Sequence, residues 1–357
     1  MSKFYPLTVT HVQRETRDAV VLTLVPQDDV AAQFGFIQGQ YLTFRQTIEG
    51  EEVRRSYSIC AAIQDPAIRV GIKHVSDGLF SGWANESVSV GDTLEAMPPM
   101  GSFYSELDAN QSRHYVAFVG GSGITPVLGI IKTTLLAEPR SSFTLFYGNR
   151  ASGSIMFREE LEDLKNEYLG RFQLLHILDR EQQDVELLNG IMDKEKCSNL
   201  LAQWVDAAEI YMAFICGPEV MMLQASEALQ DAGVARDRIK FELFASQAGK
   251  GRAPRKTNVT TKSQSNCEVD IIVDGRRRTI DMKKGEQTVL DAGTEQGLEL
   301  PYACKGGVCS TCRALLVEGD VDMDVNFALE DYEVQRGYIL TCQSYPVSDK
   351  IVVDYDQ

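Results

Sequence analysis

Apolar and polar positions alternate in short runs through the first hundred residues. LTVTHVQ (7–13), AVVLTLV (19–25), YLTFRQT (41–47), IRVGIKHV (68–75) and DTLEAM (92–97) are the clearest. Residues two apart share one face of a strand, so such runs predict half-buried strands. Gly and Pro punctuate them, which predicts an antiparallel barrel or sandwich over residues 1–108, of which a barrel is the expectation. The texture then changes. Between 109 and 246, apolar runs (114–120, 143–149, 172–178 and 210–217) alternate with helical stretches at 126–136, 157–168 and 218–233. That alternation predicts a parallel sheet with helices on both faces.

Residues 247–263, QAGKGRAPRKTNVTTKS, contain almost no large apolar side chain and read as a linker. A third segment, 264–357, opens with CEVDIIVDGRRRTIDM, two strands around Asp274-Gly275 that predict a hairpin. A helix is expected at 288–297, followed by a cysteine-rich loop. The chain is therefore expected to be multidomain.

That loop carries the most specific chemistry. Cys304, Cys309 and Cys312 lie in PYACKGGVCSTC, and Cys342 follows in YILTCQS. C-x4-C-x2-C with one distant cysteine is the ligand spacing of a plant-type [2Fe–2S] centre, in which a tight loop delivers three thiolates and a second segment the fourth. Gly306 and Gly307 are expected to let the loop wrap and turn amides toward sulfur. Structural zinc usually shows two short cysteine pairs, and only one is present here. Disulfides would suit a secreted protein, but MSKFYPLTVTH has no apolar signal region.

Composition narrows the partners. The 357 residues carry a formal charge of −16, which argues against nucleic acid, and no run approaches the ~20 apolar residues of a membrane span. The expectation is a cytoplasmic protein that is neither membrane-bound nor nucleic-acid-bound. From Lys262 onward, 18 Asp/Glu face 10 Lys/Arg. Such an acidic face would steer a basic docking surface on a redox partner. The four histidines form no metal pair.

Three further motifs point to a flavin and a nucleotide. In RRSYSIC, Arg55 and Tyr57 share one strand face, a cation and a flat aromatic suited to a phosphate and a planar ring. In VAFVGGSGITPVLGIIK, an apolar strand runs into Gly120, Gly121 and Gly123, and Thr125 and Pro126 open a helix. Glycines admit a pyrophosphate to backbone amides, and the helix N-terminus supplies partial positive charge. In FICGPEVM, Cys216, Gly217 and Pro218 join a strand to a helix.

Together these segments resemble the ferredoxin–NADP reductase family through its R-x-Y-S, G-x-G-x-T-P and C-G-P motifs. The resemblance implies that Tyr57 stacks on the isoalloxazine, Ser58 lies near its N5 and Arg55 meets the pyrophosphate. It places Lys73, Val75, Gly78 and Ser81 of KHVSDGLFS beside the diphosphate, and Gly121, Gly123, Thr125 and Pro126 against the nucleotide. Cys216, Gly217 and Pro218 would flank the nicotinamide, with Glu242 and Phe244 near the flavin. Where the fuller flavin motif has another Ser, this chain has Ala61.

FYGNRASGSIMFRE offers Arg150 and Arg158 to a 2′-phosphate with no acid before Glu159, which favours NADPH over NADH. R-x-Y-S does not by itself separate FAD from FMN. The order of segments is similar to the reductase components of multicomponent oxygenases that end in a plant-type ferredoxin. That likeness implies FAD, NADPH and a [2Fe–2S] cluster, an α+β, β-grasp-like third domain, and a diiron oxygenase complex as acceptor. Reductases of Rieske or alkane hydroxylase systems would show the same motifs. A non-enzymatic electron carrier would not need its flavin and nucleotide motifs intact.

Overall fold

The computed structural model describes residues 3–244 and 266–357. The expected linker at 247–263 lies outside the described residues. The chain divides into two compact units, one dominated by Tyr5–Val53 with Tyr57–Leu243, the other by Phe244–Gln357.

The larger unit contains two sheets. The first has six strands: β1 (Tyr5–Thr16), β2 (Ala19–Pro26), β3 (Tyr41–Ile48), β4 (Glu51–Ser58), β5 (Ile68–Lys73) and β6 (Thr93–Ala96), in the order β4-β3-β6-β1-β2-β5. Pairing is antiparallel between β1 and β2, β1 and β6, β2 and β5, and β3 and β6. The two outer strands meet where the chain leaves β4. Ile59 bridges Val70 of β5, and the Cys60 amide donates to the Arg69 carbonyl at 2.9 Å. That contact joins the two outer ends of the sheet, as the expected barrel requires. Alternate residues such as Leu7, Val9, Leu22, Leu24, Val70 and Ile72 fill it. A helix that strand-like alternation does not predict, α1 (Leu79–Glu86), buries Phe80 and Ala84 against this core.

The second sheet is parallel throughout, in the order β11-β10-β7-β8-β9. Its strands are β7 (His114–Gly120), β8 (Ser142–Asn149), β9 (Phe172–Leu178), β10 (Ile210–Cys216) and β11 (Ile239–Glu242). Helices α2 (Ile124–Ala137), α3 (Arg158–Glu167), α4 (Lys194–Trp204) and α5 (Glu219–Asp231) connect them. The chain winds outward from β7 through β8 to β9, then returns to place β10 on the other side of β7. The strand order therefore reverses between β7 and β10, and the crevice at their C-terminal ends is where open parallel sheets bind ligands.

The smaller unit is a mixed five-stranded sheet in the order β13-β12-β18-β14-β16, with a short β15–β17 pair beside it. Strands β12 (Asn266–Val273) and β13 (Arg276–Lys283) form the expected hairpin. Asp274 and Gly275 take φ of 53° and 69° at its turn, as a tight two-residue hairpin demands. Helix α6 (Val289–Glu295) is capped by the Thr288 hydroxyl, which accepts from the Asp291 amide. The remaining elements are β14 (Arg313–Glu318), β15 (Val321–Met323), α7 (Asp331–Gln335), β16 (Tyr338–Leu340), β17 (Ser344–Pro346) and β18 (Lys350–Asp354).

Candidate flavin, nucleotide and iron–sulfur sites

The switch point between β7 and β10 carries two of the expected motifs, packed backbone to backbone. β7 ends at Gly120, and Gly121 adopts φ 53°, in the left-handed region. A Cβ on Gly123 would lie 2.2 Å from the Cys216 carbonyl oxygen, and one on Gly217 would lie 2.8 Å from the Gly120 amide nitrogen. Only glycine allows the G-S-G loop and the C-G-P turn to approach this closely. Thr125 donates to the Ser122 carbonyl at 3.1 Å, and the Tyr147 hydroxyl donates to the Gly121 carbonyl at 3.0 Å, tying the loop to β8. Thr125 and Pro126 are buried in the first turn of α2.

On the barrel side, β4 carries Arg55, Tyr57 and Ser58. Arg55 is exposed, its guanidinium donating to the Arg54 carbonyl at 2.7 Å. The Tyr57 ring is held by Phe80 at 5.5 Å and Phe44 at 6.2 Å. The Ser58 hydroxyl donates to a carboxyl oxygen of Glu242 at 3.0 Å. Glu242 ends β11 and pairs in parallel register with Cys216. The residue keeps some solvent exposure, but its carboxyl is enclosed, and burial pushes its pKa up to about 8 against the pull of the Ser58 bond. Burial also raises the Cys216 thiol, with the Glu242 charge adding to it. The structure thus brings Ser58, Glu242 and Cys216 to one place from three distant segments. Phe244 lies two residues beyond Glu242, half-buried.

The second barrel segment folds as a compact turn into α1. The Val75 amide donates to the Ser81 hydroxyl at 3.1 Å, and that hydroxyl donates to the Gly78 carbonyl at 3.1 Å. A Cβ on Gly78 would strike the Ser81 hydroxyl at 2.5 Å. Lys73 lies 3.6 Å from Asp18. Val75, Gly78 and Ser81 are therefore gathered in one turn, while Lys73, which the resemblance groups with them, pairs with Asp18.

The segment after β8 has neighbours that its own stretch of sequence does not show. Arg150 is exposed, but Arg158 is engaged by Glu162 of its own helix at 3.0 Å. The loop after β9 also brings in an acid that is remote in sequence: the Ser152 amide donates to Glu181 at 2.7 Å, and this bond holds the Glu181 carboxyl below its usual range. The absence of an acid before Glu159 holds only along a single stretch of chain. Pairing of β8 with β9 brings the loop after β9, and with it this carboxylate, beside the segment.

In the smaller unit, Cys309, Cys312 and Cys342 are buried and Cys304 is partly exposed. Among the described residues no three His, Cys, Asp or Glu side chains are disposed around a single metal ion. The thiols instead contact one another. Cys309 donates to Cys304 sulfur at 3.1 Å, and hydrogen bonds from Cys309 and Cys342 hold Cys304 well below the usual thiol range. The Gly306 amide points at the Cys304 sulfur at 3.3 Å, and the Gln343 side-chain amide lies 3.7 Å from that of Cys342. The left-handed residues of the loop are Lys305 (φ 52°) and Gly307 (φ 74°), so the wrap expected of the Gly306-Gly307 pair begins one residue earlier. Four crowded thiols, no imidazole or carboxylate among them and amides aimed at sulfur make a donor set that fits a [2Fe–2S] centre.

Comparison with known proteins agrees with this geometry. Residues 6–104 match the oxidoreductase FAD-binding domain family, 118–227 the oxidoreductase NAD-binding domain family and 271–347 the 2Fe-2S iron-sulfur cluster binding domain family. The chain is 43% identical over 356 residues to one component of the 1,2-phenylacetyl-CoA epoxidase of Escherichia coli (strain K12), covering 100% of this chain and 99% of the relative. It is 31% identical to the ferredoxin reductase component of 3-ketosteroid-9-alpha-monooxygenase of Rhodococcus rhodochrous, over 98% of the chain and 96% of the relative. The solved structure of phthalate dioxygenase reductase matches with a TM-score of 0.59 at 22% identity, covering 98% of each chain.

The chain belongs to the reductase components of oxygenase systems, built from an FAD-binding, an NAD-binding and a 2Fe-2S domain. It is an NAD(P)H-dependent oxidoreductase whose cofactors are FAD, a [2Fe–2S] cluster and a pyridine nucleotide, and its electrons go to an oxygenase. Among the described residues no helix is long and apolar enough to cross a membrane.

Proposed function

We propose that this reductase takes electrons from NADPH and delivers them to a diiron oxygenase acting on phenylacetyl-CoA, in the aerobic breakdown of phenylacetate. The carrying observation is 43% identity to the phenylacetyl-CoA epoxidase component over 100% of this chain and 99% of the relative. Bound FAD would convert the two-electron supply of the nucleotide into the single electrons a [2Fe–2S] cluster accepts.

The roles of the residues are those the family resemblance implies for each. Gly121, Gly123, Thr125 and Pro126 would receive the nucleotide on the loop and first turn of α2. Tyr57 offers its ring to the isoalloxazine, and Arg55, Lys73, Val75, Gly78 and Ser81 serve the flavin phosphates. Ser58 supplies a hydroxyl near the flavin edge, backed by a Glu242 carboxyl that burial keeps largely protonated at neutral pH. Cys216, Gly217 and Pro218 seat the nicotinamide. Cys304, Cys309, Cys312 and Cys342 are the cluster ligands. The other four cysteines, Cys60, Cys197, Cys216 and Cys267, are buried thiols, as a reducing, cytoplasmic setting favours. Arg150 supports NADPH, while Glu181 at the Ser152 amide works against its 2′-phosphate.

The test is reconstitution with the purified phenylacetyl-CoA oxygenase, following NADPH consumption and oxygenated CoA product. Turnover that depends on phenylacetyl-CoA and is coupled to product supports the reading. Rapid ferricyanide reduction without coupled product would assign the protein to a different oxygenase.

A further inference from the structure

Four charged side chains meet where the barrel packs on the nucleotide sheet. Arg69 of β5 grips Glu160 with both terminal nitrogens at 3.0 Å, one to each carboxyl oxygen. Lys132 of α2 reaches Glu160 at 2.9 Å and Asp65 at 2.7 Å. Two cations therefore balance two carboxylates, with side chains only 16–29% exposed. Burial alone would raise the Glu160 carboxyl, but Arg69 and Lys132 hold it below its usual range. Cys60, fully buried, stands against the same cluster.

The cluster sits next to the reacting groups along the backbone. Ile59–Ala61 follow Ser58 directly, and α2 is pressed onto them. A Cβ on Gly129 would lie 2.8 Å from the Ala61 carbonyl oxygen and 3.0 Å from that of Ile59. Lys132 is three residues on from Gly129, on the same face of α2. The first turn of α2 is also packed against the barrel, since a Cβ on Gly71 of β5 would meet the Thr125 methyl at 2.8 Å. Glu160 enters from the first turn of α3, just after Phe157, whose amide donates to Glu15 of β1 at 2.6 Å. A desolvated charge cluster contributes little net stability, because desolvation offsets attraction. Its bidentate geometry does fix distance and angle.

We infer that the Asp65–Lys132–Glu160–Arg69 cluster is a positioning device for electron entry: by drawing α2 onto the Ile59–Ala61 backbone it fixes how far the nucleotide loop stands from Ser58 and Tyr57. This inference rests on the reductase reading. The step it governs is movement of a hydride from the nicotinamide, which is oxidised, to the flavin, which is reduced. That step is sensitive to misplacement on the order of 1 Å, worth up to ~10²-fold in rate. None of the four side chains belongs to a binding motif, so loosening the cluster changes alignment and leaves the contacts to each cofactor intact.

The experiment uses the full chain with Glu160→Gln, and with Asp65→Asn as a milder second variant. Three quantities are read: the limiting rate of anaerobic flavin reduction by NADPH, the Kd for NADP+, and hydrogen–deuterium exchange at residues 59–62 and 124–132. The expected result is a limiting rate lowered about tenfold or more in Glu160→Gln and less in Asp65→Asn. The Kd should stay within about twofold, with faster exchange confined to those two segments. A rate and an exchange pattern like wild type in both variants overturn the inference, as does a loss carried wholly by Kd. If Glu160→Gln fails to retain flavin, Asp65→Asn decides alone by the same criteria. A wild-type flavin that no pyridine nucleotide reduces overturns the reductase reading itself and this inference with it.

Discussion

Cys216 and Glu242 stand side by side at the C-terminal ends of adjacent parallel strands, and Glu242 reaches from there to the Ser58 hydroxyl at 3.0 Å. A carboxyl at the end of a nucleotide-domain strand is thereby joined to the barrel strand that carries Tyr57. Being enclosed, Glu242 holds its proton to about pH 8.

The first prediction concerns pH. Between the ordinary carboxyl value of 4.5 and about 8, the folded chain keeps the Glu242 proton and the unfolded chain loses it. The unfolded state binds fewer protons in that window, so this group lowers stability as pH rises through it, with no further loss above about 8. Glu242→Gln, neutral at every pH, should flatten that part of the melting temperature against pH curve. An unchanged slope in thermal melts from pH 5 to 8 would show that the carboxyl is not held protonated.

Ser58→Ala removes the hydroxyl that donates to Glu242. Flavin reduction should slow by roughly tenfold to a hundredfold, in the range of losing one positioned hydrogen-bonding group. FAD content should hold. Stopped-flow reduction and the absorbance spectrum measure both.

Gly123→Ala sets a methyl 2.2 Å from the Cys216 carbonyl oxygen. The two loops must part, and overpacking of this kind costs about 1–3 kcal/mol. Nucleotide KM should rise and the melting temperature fall together. Gly153→Ala, where a Cβ meets nothing within 4 Å, is the control.

Much of this was legible in the sequence, for identifiable reasons. The G-S-G and C-G-P segments announce themselves because close approach demands glycine, and the structure packs them so tightly that a Cβ on Gly123 or Gly217 would lie 2.2 or 2.8 Å from the facing backbone. The Asp274-Gly275 turn and the β7–β10 strands follow from local backbone chemistry and from apolar runs buried on both faces. Helices α1 and α4 escaped because the burial of Phe80 and Leu200 depends on packing partners far along the chain. The strands after Cys312 are short, three to six residues, and too brief to show a period. Ser58–Glu242 and Ser152–Glu181 join positions 184 and 29 residues apart, so no window of sequence contains either pair.

The second of those pairs bears on nucleotide choice. Glu181 accepts from the Ser152 amide at 2.7 Å, a donor well placed for an anionic oxygen. Glu181→Gln should therefore raise kcat/KM for NADPH relative to NADH, by about fivefold as a rough expectation for removing one repelling charge. Steady-state kinetics with both nucleotides checks it. An unchanged ratio would mean that Glu181 moves aside without cost.

Cys309→Ser should abolish the cluster's visible absorbance and cytochrome c reduction while sparing NADPH–ferricyanide activity at the flavin. Equal loss of both activities would contradict an electron path in which the flavin precedes the cluster.

The most direct measurement is anaerobic reduction of the full chain by NADPH, following flavin absorbance and the electron paramagnetic resonance signal of the cluster in parallel. The account predicts that flavin absorbance falls first and the reduced-cluster signal follows, with three electrons taken up per chain: two by the flavin and one by the cluster. A cluster signal that rises without flavin bleaching, or a flavin that bleaches while the cluster stays oxidised in the presence of excess NADPH, would contradict it.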